Sequence, residues 1–315
     1  MRISTNMIFD AGRNAIQRQS SEMLHTQQQI ATGRRILTPS DDPIAASRAL
    51  EVTQSQRANE QFQTNIGYAK DALATLESDL GSIGDILTYI RTRAVEAGNP
   101  TYTSSEHQAI AADIEAQFGA LLGIANGKDA TGEYRFAGYR STDAAFSGGA
   151  FDPAAGPAAV AYRGDAGARS IQVSASRTMP VGEPGSGVFI VVPNAATGEP
   201  ESQVFGWISN FINDLRNPPA GGLSASVASA IGNMDTALDK VLTIRASVGS
   251  RMTELDALEE LSAAHGEQYA QTLSRLQDVD YAEAISRLSK QQTILEAAQQ
   301  SYVRVTGLSL FDYLR

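Results

Sequence analysis

Apolar residues recur every seven positions at both ends of the chain: Phe9, Ile16, Met23 and Ile30 near the start, and Tyr281, Leu288, Leu295 and Tyr302 near the finish. A seven-residue step holds side chains on one seam of a helix, so each segment predicts a helix with a narrow apolar stripe. The positions that would widen each stripe are polar, Ser20 and Gln27 in the first and Gln292 and Gln299 in the second. Stripes this thin bury too little area to offset the entropy of ordering an independent unit. Each end is therefore expected to find its partner in the other.

Between the ends the pattern predicts long helices separated by marked breaks. After Gly33 the helical spacing breaks, and Pro39 disfavours helix at Thr38. Ser40, Asp41 and Asp42 are cap-forming residues placed just before Pro43, which suits a first helical turn. Pro39, Asp41, Asp42 and Pro43 thus mark a helix joint. From Pro43 to about Gly98 the apolar spacing is helical, through Leu50, Phe62, Ile66, Leu73, Leu80, Leu87 and Ile90, and Asn99-Pro100 ends it. Thr103 with Glu106 forms a capping-box pattern for a second helix that runs to Asn126-Gly127.

From about Gly132 to Glu201 glycine and proline become dense, and short β-favouring runs appear at Tyr134–Phe136, Val160–Tyr162, Ile171–Val173 and Val188–Val192. A helix is predicted from about Ser202 to Arg216. Beyond Gly222 comes the longest regular stretch, with Val227, Ile231, Met234, Leu238, Val241, Val248, Met252 and Leu255 in steps of four and three, broken where Arg245 replaces an apolar residue. Continued to Tyr302, such a helix has about 80 residues and a length of about 120 Å, which fits a rod and not a compact core. The expected fold is mainly α with a β-rich insertion: an antiparallel long-helix rod, terminal coiled-coil segments and an outward small β domain. The expected domains are 1–42 with 276–315 (terminal coiled coil), 43–132 with 202–275 (helical rod) and 133–201 (β-rich insertion).

Composition narrows the function. Charged residues make up 19% of the chain, below the roughly 25% usual in soluble domains, and Gln, Ser, Thr and Ala on polar faces suit close helix packing in an assembly. A net charge of -10 argues against a nucleic-acid partner, the one notable basic pair being Arg34-Arg35. With no cysteine there is no disulfide, thiolate metal site or Cys nucleophile. The first residues lack the apolar stretch of a cleavable signal peptide, and no run of 18 apolar residues predicts a membrane span. A location outside the cell would require another export route.

Candidate chemistry is sparse. His25, His107 and His265 belong to no H-E-x-x-H pattern and read as surface residues. Asp278, Asp280 and Glu283 read as a solvated helix face or partners for Arg275 and Arg287, and Asp41-Asp42 as a cap. No phosphate-binding glycine loop or G-x-S-x-G elbow occurs. The expectation is no catalytic, metal or cofactor site.

The segment from Ile30 to Leu50, containing Thr38-Pro39-Ser40-Asp41-Asp42-Pro43, resembles the N-terminal signature of the bacterial flagellin superfamily, in the form used by its hook-associated branch at the hook-filament junction. Asp278–Ser286 through Leu308–Arg315 is similar to that family's ending, and Tyr134–Gly138 and Tyr162-Arg163-Gly164-Asp165 to the branch's β-domain entry and core. The resemblance implies a structural adaptor exported unfolded through the flagellar type III apparatus. Its partners would be copies of itself in a ring, a hook-side junction protein, flagellin and an export chaperone at the C-terminal helix. The implied assembly interface joins the eight heptad residues to Ile285, Val305, Leu308, Leu310, Phe311 and Leu314. A filament flagellin, an adhesin using the β insertion and an enzyme hidden in that insertion are the rival readings.

Overall fold

In the computed structural model, residues 5–148, 160–190 and 203–307 are described. The helices are α1 (Thr5–Thr32), α2 (Pro43–Ala97), α3 (Ser104–Ala125), α4 (Gly185–Phe189), α5 (Gln203–Arg216), α6 (Ser224–Gln277) and α7 (Tyr281–Gly307), and four short strands, β1 (Phe146–Ser147), β2 (Ala161–Tyr162), β3 (Ser170–Gln172) and β4 (Thr178–Pro180), lie between α3 and α4. The chain divides into two compact units, residues 61–263 and residues 1–60 with 264–315.

In the 61–263 unit, α2 buries Ile66, Ala69, Leu73, Leu76, Leu80, Ile83, Leu87, Ile90 and Ala94, an unbroken alternation of three and four. The matching seam of α6 is Val227, Ala230, Met234, Ala237, Val241, Ile244, Val248 and Leu255. It differs from the predicted seam: Ile231 and Leu238 sit at its flank, half-buried, while Ala230 and Ala237 are buried in the seam itself. The apparent fault at Arg245 disappears, because Ile244 occupies the seam. Arg245 points instead to Glu77, with Nε and Nη2 at 2.8 and 2.6 Å from Oε1. That pair, Lys70 with Asp256 and Glu259, and Arg91 with Asp235 run down the two helices in opposite order, which makes α2 and α6 antiparallel.

Helix α3 opens with the predicted capping box between Thr103 and Glu106. It packs on α5 through the edge-to-face rings of Phe118 and Phe205, 5.5 Å apart, and the Glu115–Arg216 ion pair. Phe205 continues into an aromatic cluster with Phe136, Phe146 and Phe189. The two antiparallel ladders are small: β1–β2 pairs Phe146 with Tyr162, and β3–β4 pairs Ile171 with Met179. Two predicted strands are not strands. Tyr134 makes a single bridge to Lys128, and Val188 and Phe189 end the short helix α4. Both of those side chains are buried, which one helical turn allows and a half-exposed strand does not. Residues 191 and 192 lie outside the described part. In the Tyr162–Asp165 segment the Tyr162 hydroxyl donates to the Asp165 carbonyl (2.6 Å), while the Asp165 carboxylate accepts from the Tyr139 and Gly167 amides.

In the other unit, α1 packs against α7. The helix from Ser224 does not run on to Tyr302; it stops at Gln277 and restarts at Tyr281. The break is held from outside, since Arg35 N donates to the Gln277 carbonyl (2.6 Å) and Val279 N to the Gly33 carbonyl (3.0 Å). Asp280 then caps α7 by accepting from the Ala282 and Glu283 amides at 2.9 and 3.1 Å.

Candidate assembly surface at the paired chain ends

The joint between α1 and α2 is built from short-range hydrogen bonds. Gly33, with φ +71°, stops α1 in a left-handed conformation suited to glycine. Asp41 Oδ2 then accepts from the Leu37 and Thr38 amides, each at 2.9 Å, and these backbone bonds hold its carboxyl below the usual range. Its other oxygen faces His25 Nε2 at 3.3 Å. Asp42 Oδ1 caps α2 through the Ala45 amide at 3.0 Å, the chief cause of its own lowered pKa. Pro43 is the first helical residue, and Pro39 is exposed on the turn.

Arg35 links this joint to the distant break. Nη1 lies 3.2 Å from Asp42 Oδ2, Nη2 donates to the Leu276 carbonyl at 2.9 Å, and the Arg35 carbonyl accepts from Gln29 Nε2 at 2.6 Å. A guanidinium at the exposed carbonyls of a helix end satisfies acceptors that the helix cannot and complements its dipole. In the sequence Arg34-Arg35 stands out only as a basic pair. The signal missing there is the partner carbonyl, 241 residues away.

The heptad residues fall where one chain lets them meet. Phe9, Ile16, Met23, Ile30, Leu288, Leu295 and Tyr302 are all half-buried, and the Phe9 and Tyr302 rings meet edge to face at 6.5 Å. The intervening layers are small or polar: Gly12, Gln19 and Thr26 on α1, Ala284, Gln291 and Ala298 on α7. Gln291 Oε1 is buried there without a hydrogen-bond partner. Tyr281, Ile285 and Val305 are not covered, with 52%, 56% and 46% of their surface exposed, and Met7, Leu24 and Val303 are open as well. Leu308, Leu310, Phe311 and Leu314 lie outside the described residues.

Other polar groups are engaged locally. His107 Nε2 is 3.1 Å from the Ala97 carbonyl, and Glu283 pairs with Arg287 at 2.7 Å. A cavity of about 350 Å³ in the 61–263 unit is lined by Tyr68, Asp129, Arg135 and Arg169 among others. Both of its arginines are ion-paired, Arg169 to Asp129 and Glu133, and Arg135 to Asp79. Burial pushes the Asp79 carboxyl up despite Arg135 beside it. Among the described residues no group of His, Cys, Asp and Glu could hold a metal ion, and no helix is long and apolar enough to cross a membrane.

Known proteins match both halves of this arrangement. Residues 3–141 match the bacterial flagellin N-terminal helical region, and residues 231–314 the bacterial flagellin C-terminal helical region. The chain is 31% identical over 323 residues to flagellar hook-associated protein 3 of Escherichia coli strain K12, covering 99% of each chain. It is 31% identical over 326 residues to the Salmonella typhimurium strain LT2 protein of the same description, covering 100% of each. The solved structure of flagellar hook associated protein-3 from Legionella pneumophila shares the fold, with a TM-score of 0.61 at 19% identity over 71% of this chain and 98% of that one. A full-length match at this identity, with the terminal regions at both ends, makes the chain a member of the bacterial flagellin family, in its flagellar hook-associated protein 3 branch.

Proposed function

We infer that this protein is a structural adaptor of the extracellular bacterial flagellum, joining the hook-side junction to the flagellin filament as a ring of its own copies. The observation that carries the reading is the α1–α7 pair: the two chain ends meet along a thin seam and still leave Ile285, Val303, Val305, Met7 and Leu24 open to neighbours. Apolar side chains left exposed along a paired helix are a surface for further helices. The likeness to hook-associated protein 3 spans the insertion as well as the ends, which favours a junction role over a filament subunit.

In this reading Phe9, Ile16, Met23, Ile30, Leu288, Leu295 and Tyr302 set the internal pairing. Tyr281, Ile285 and Val305, exposed along α7, face the next subunit, the hook-side protein or flagellin, and Leu308, Leu310, Phe311 and Leu314, outside the described residues, are assigned to the same interface from the sequence. The exposed side of α7 is also the part an export chaperone would cover before secretion. In the same reading residues 43–132 with 202–275 are the helical rod domain and 133–201 the inserted β-rich domain. Imaging cells that lack this protein tests the function: hooks without filaments, with flagellin released into the medium, are expected, and normal filaments on intact hooks would overturn it.

A further inference from the structure

The α1–α7 seam carries a size code. At each end of the pair a tyrosine of α7 lies against a glycine, Gly12 inside α1 and Gly33 in the turn that ends it. A Cβ on Gly12 would lie 2.7 Å from Tyr302 Cδ2 and 3.1 Å from Cε2, and one on Gly33 would lie 3.0 Å from Tyr281 Oη. Contacts this short leave no room for a side chain at Gly12 while Tyr302 stays wedged beside Phe9. Gly12 and Gly33 are three heptads apart, and so are Tyr281 and Tyr302, so one antiparallel register satisfies both contacts at once.

The layers between do not discriminate. Carried inward by seven-residue steps, the same register sets Leu295 against Ile16 and Gln19, and Leu288 against Met23 and Thr26. A slip by one heptad still places an aliphatic residue opposite an aliphatic residue, so the repeating stripe alone is degenerate. The same slip moves Tyr302 from Gly12 to Thr5 or Gln19, both of which carry a Cβ. Glycine is among the poorest helix formers, yet it occupies position 12 well inside α1. The joint hydrogen bonds hold only the Gly33 end, three heptads from Gly12.

We propose that Gly12 with Tyr302 is the specificity-determining pair that fixes the register of α1 against α7, excluding pairings one heptad out, with Tyr281 over the Gly33 turn meeting the same register at the other end. Such slips are the competing states wherever several identical copies of both helices lie close together. The proposal stands on the pairing within one chain and does not depend on the junction role.

The chain has no cysteine, so introduced pairs report register without background. In the purified full chain, Met23→Cys with Leu288→Cys reads the observed register, and Met23→Cys with Leu295→Cys and Ile16→Cys with Leu288→Cys read the two slips. With the native glycines and tyrosines, the first pair should oxidise at least ~10-fold faster than either other. Gly12→Leu should slow it about tenfold or more. Adding Tyr302→Ala, which returns the space that the leucine takes, should restore it to within about twofold. An unchanged rate in Gly12→Leu, or a loss that Tyr302→Ala does not restore, overturns the proposal. Both outcomes are read on the isolated protein, so they are distinct from any failure of the junction role in cells.

Discussion

Replacing Leu288 and Leu295 together by aspartate probes the pairing of the chain ends most directly. Both leucines are half-buried in the α1–α7 seam, so each forfeits about half of the 1.5–3 kcal/mol that full burial of a leucine is worth, about 1 kcal/mol. Each new carboxylate, placed in a partly dry seam with no cation opposite, costs about 1 kcal/mol more. The total of about 4 kcal/mol corresponds to roughly a thousandfold loss in the pairing equilibrium. Amide exchange in the purified protein reads this as lost protection along α1, with α3, in the 61–263 unit, as an internal control that keeps its protection. In cells the same double change should abolish incorporation at the hook tip. Loss of protection smaller than about tenfold, or normal filament growth and motility, would refute the assignment of this seam.

The joint gives a second test: Arg35→Ala should lower protection of the Val279 amide about tenfold, the worth of one net hydrogen bond, whereas Arg34→Ala next door should leave it unchanged. In the core of the 61–263 unit, Leu80→Ala removes a fully buried side chain and should cost about 2–5 kcal/mol, measured as a lower denaturation midpoint at unchanged slope. Asp129 supplies a pH signature. Burial works against its ionisation, but the Thr131 hydroxyl, the Glu133 amide and Arg169 prevail and hold it at about 2, against an ordinary value of 3.8. Because the folded pKa lies below the unfolded one, its contribution, about 2 kcal/mol, is present above about pH 4 and is lost as pH falls toward 2. Asp129→Asn should therefore flatten the acid limb of a stability-against-pH curve between those values, and an unaltered limb would contradict the assignment.

How much of this fold was legible depended on how local each cause was. The core stripe of α2 was readable because its seam residues are large and evenly spaced, and the capping box of α3 because Thr103 and Glu106 are three residues apart. The α6 seam reads one step off in the sequence because alanines 230 and 237, although buried, carry little weight in an apolar pattern. The break at Asp278–Asp280 was hidden because Val279 continues the helical spacing, while the groups that stop the helix, Gly33 and Arg35, lie near the other end of the chain. The same distance concealed Arg35 as a cap. Strands of two or three residues, such as β1 and β4, are too short to show any period at all. At the paired chain ends the large heptad residues were visible, and the glycines that receive the tyrosines were not, since an absent side chain leaves no mark in a hydrophobic pattern.

The thin stripe on α1 also governs the order of events during folding. Its partner α7 lies far along the chain, beyond α2 to α6, so α1 keeps its seam uncovered until the segment between them has been brought together. Closing the Arg35–Leu276 contact across 241 residues of loose chain costs about 5 kcal/mol in loop entropy. Once Lys70 has met Glu259, the open chain that remains is about 50 residues, and the cost falls by about 1.4 kcal/mol, a tenfold gain in closure. The 61–263 unit is thus expected to fold first and the ends to pair last. A helix that must stay soluble while it waits can afford only a narrow apolar seam, and Ser20 and Gln27 keep it so.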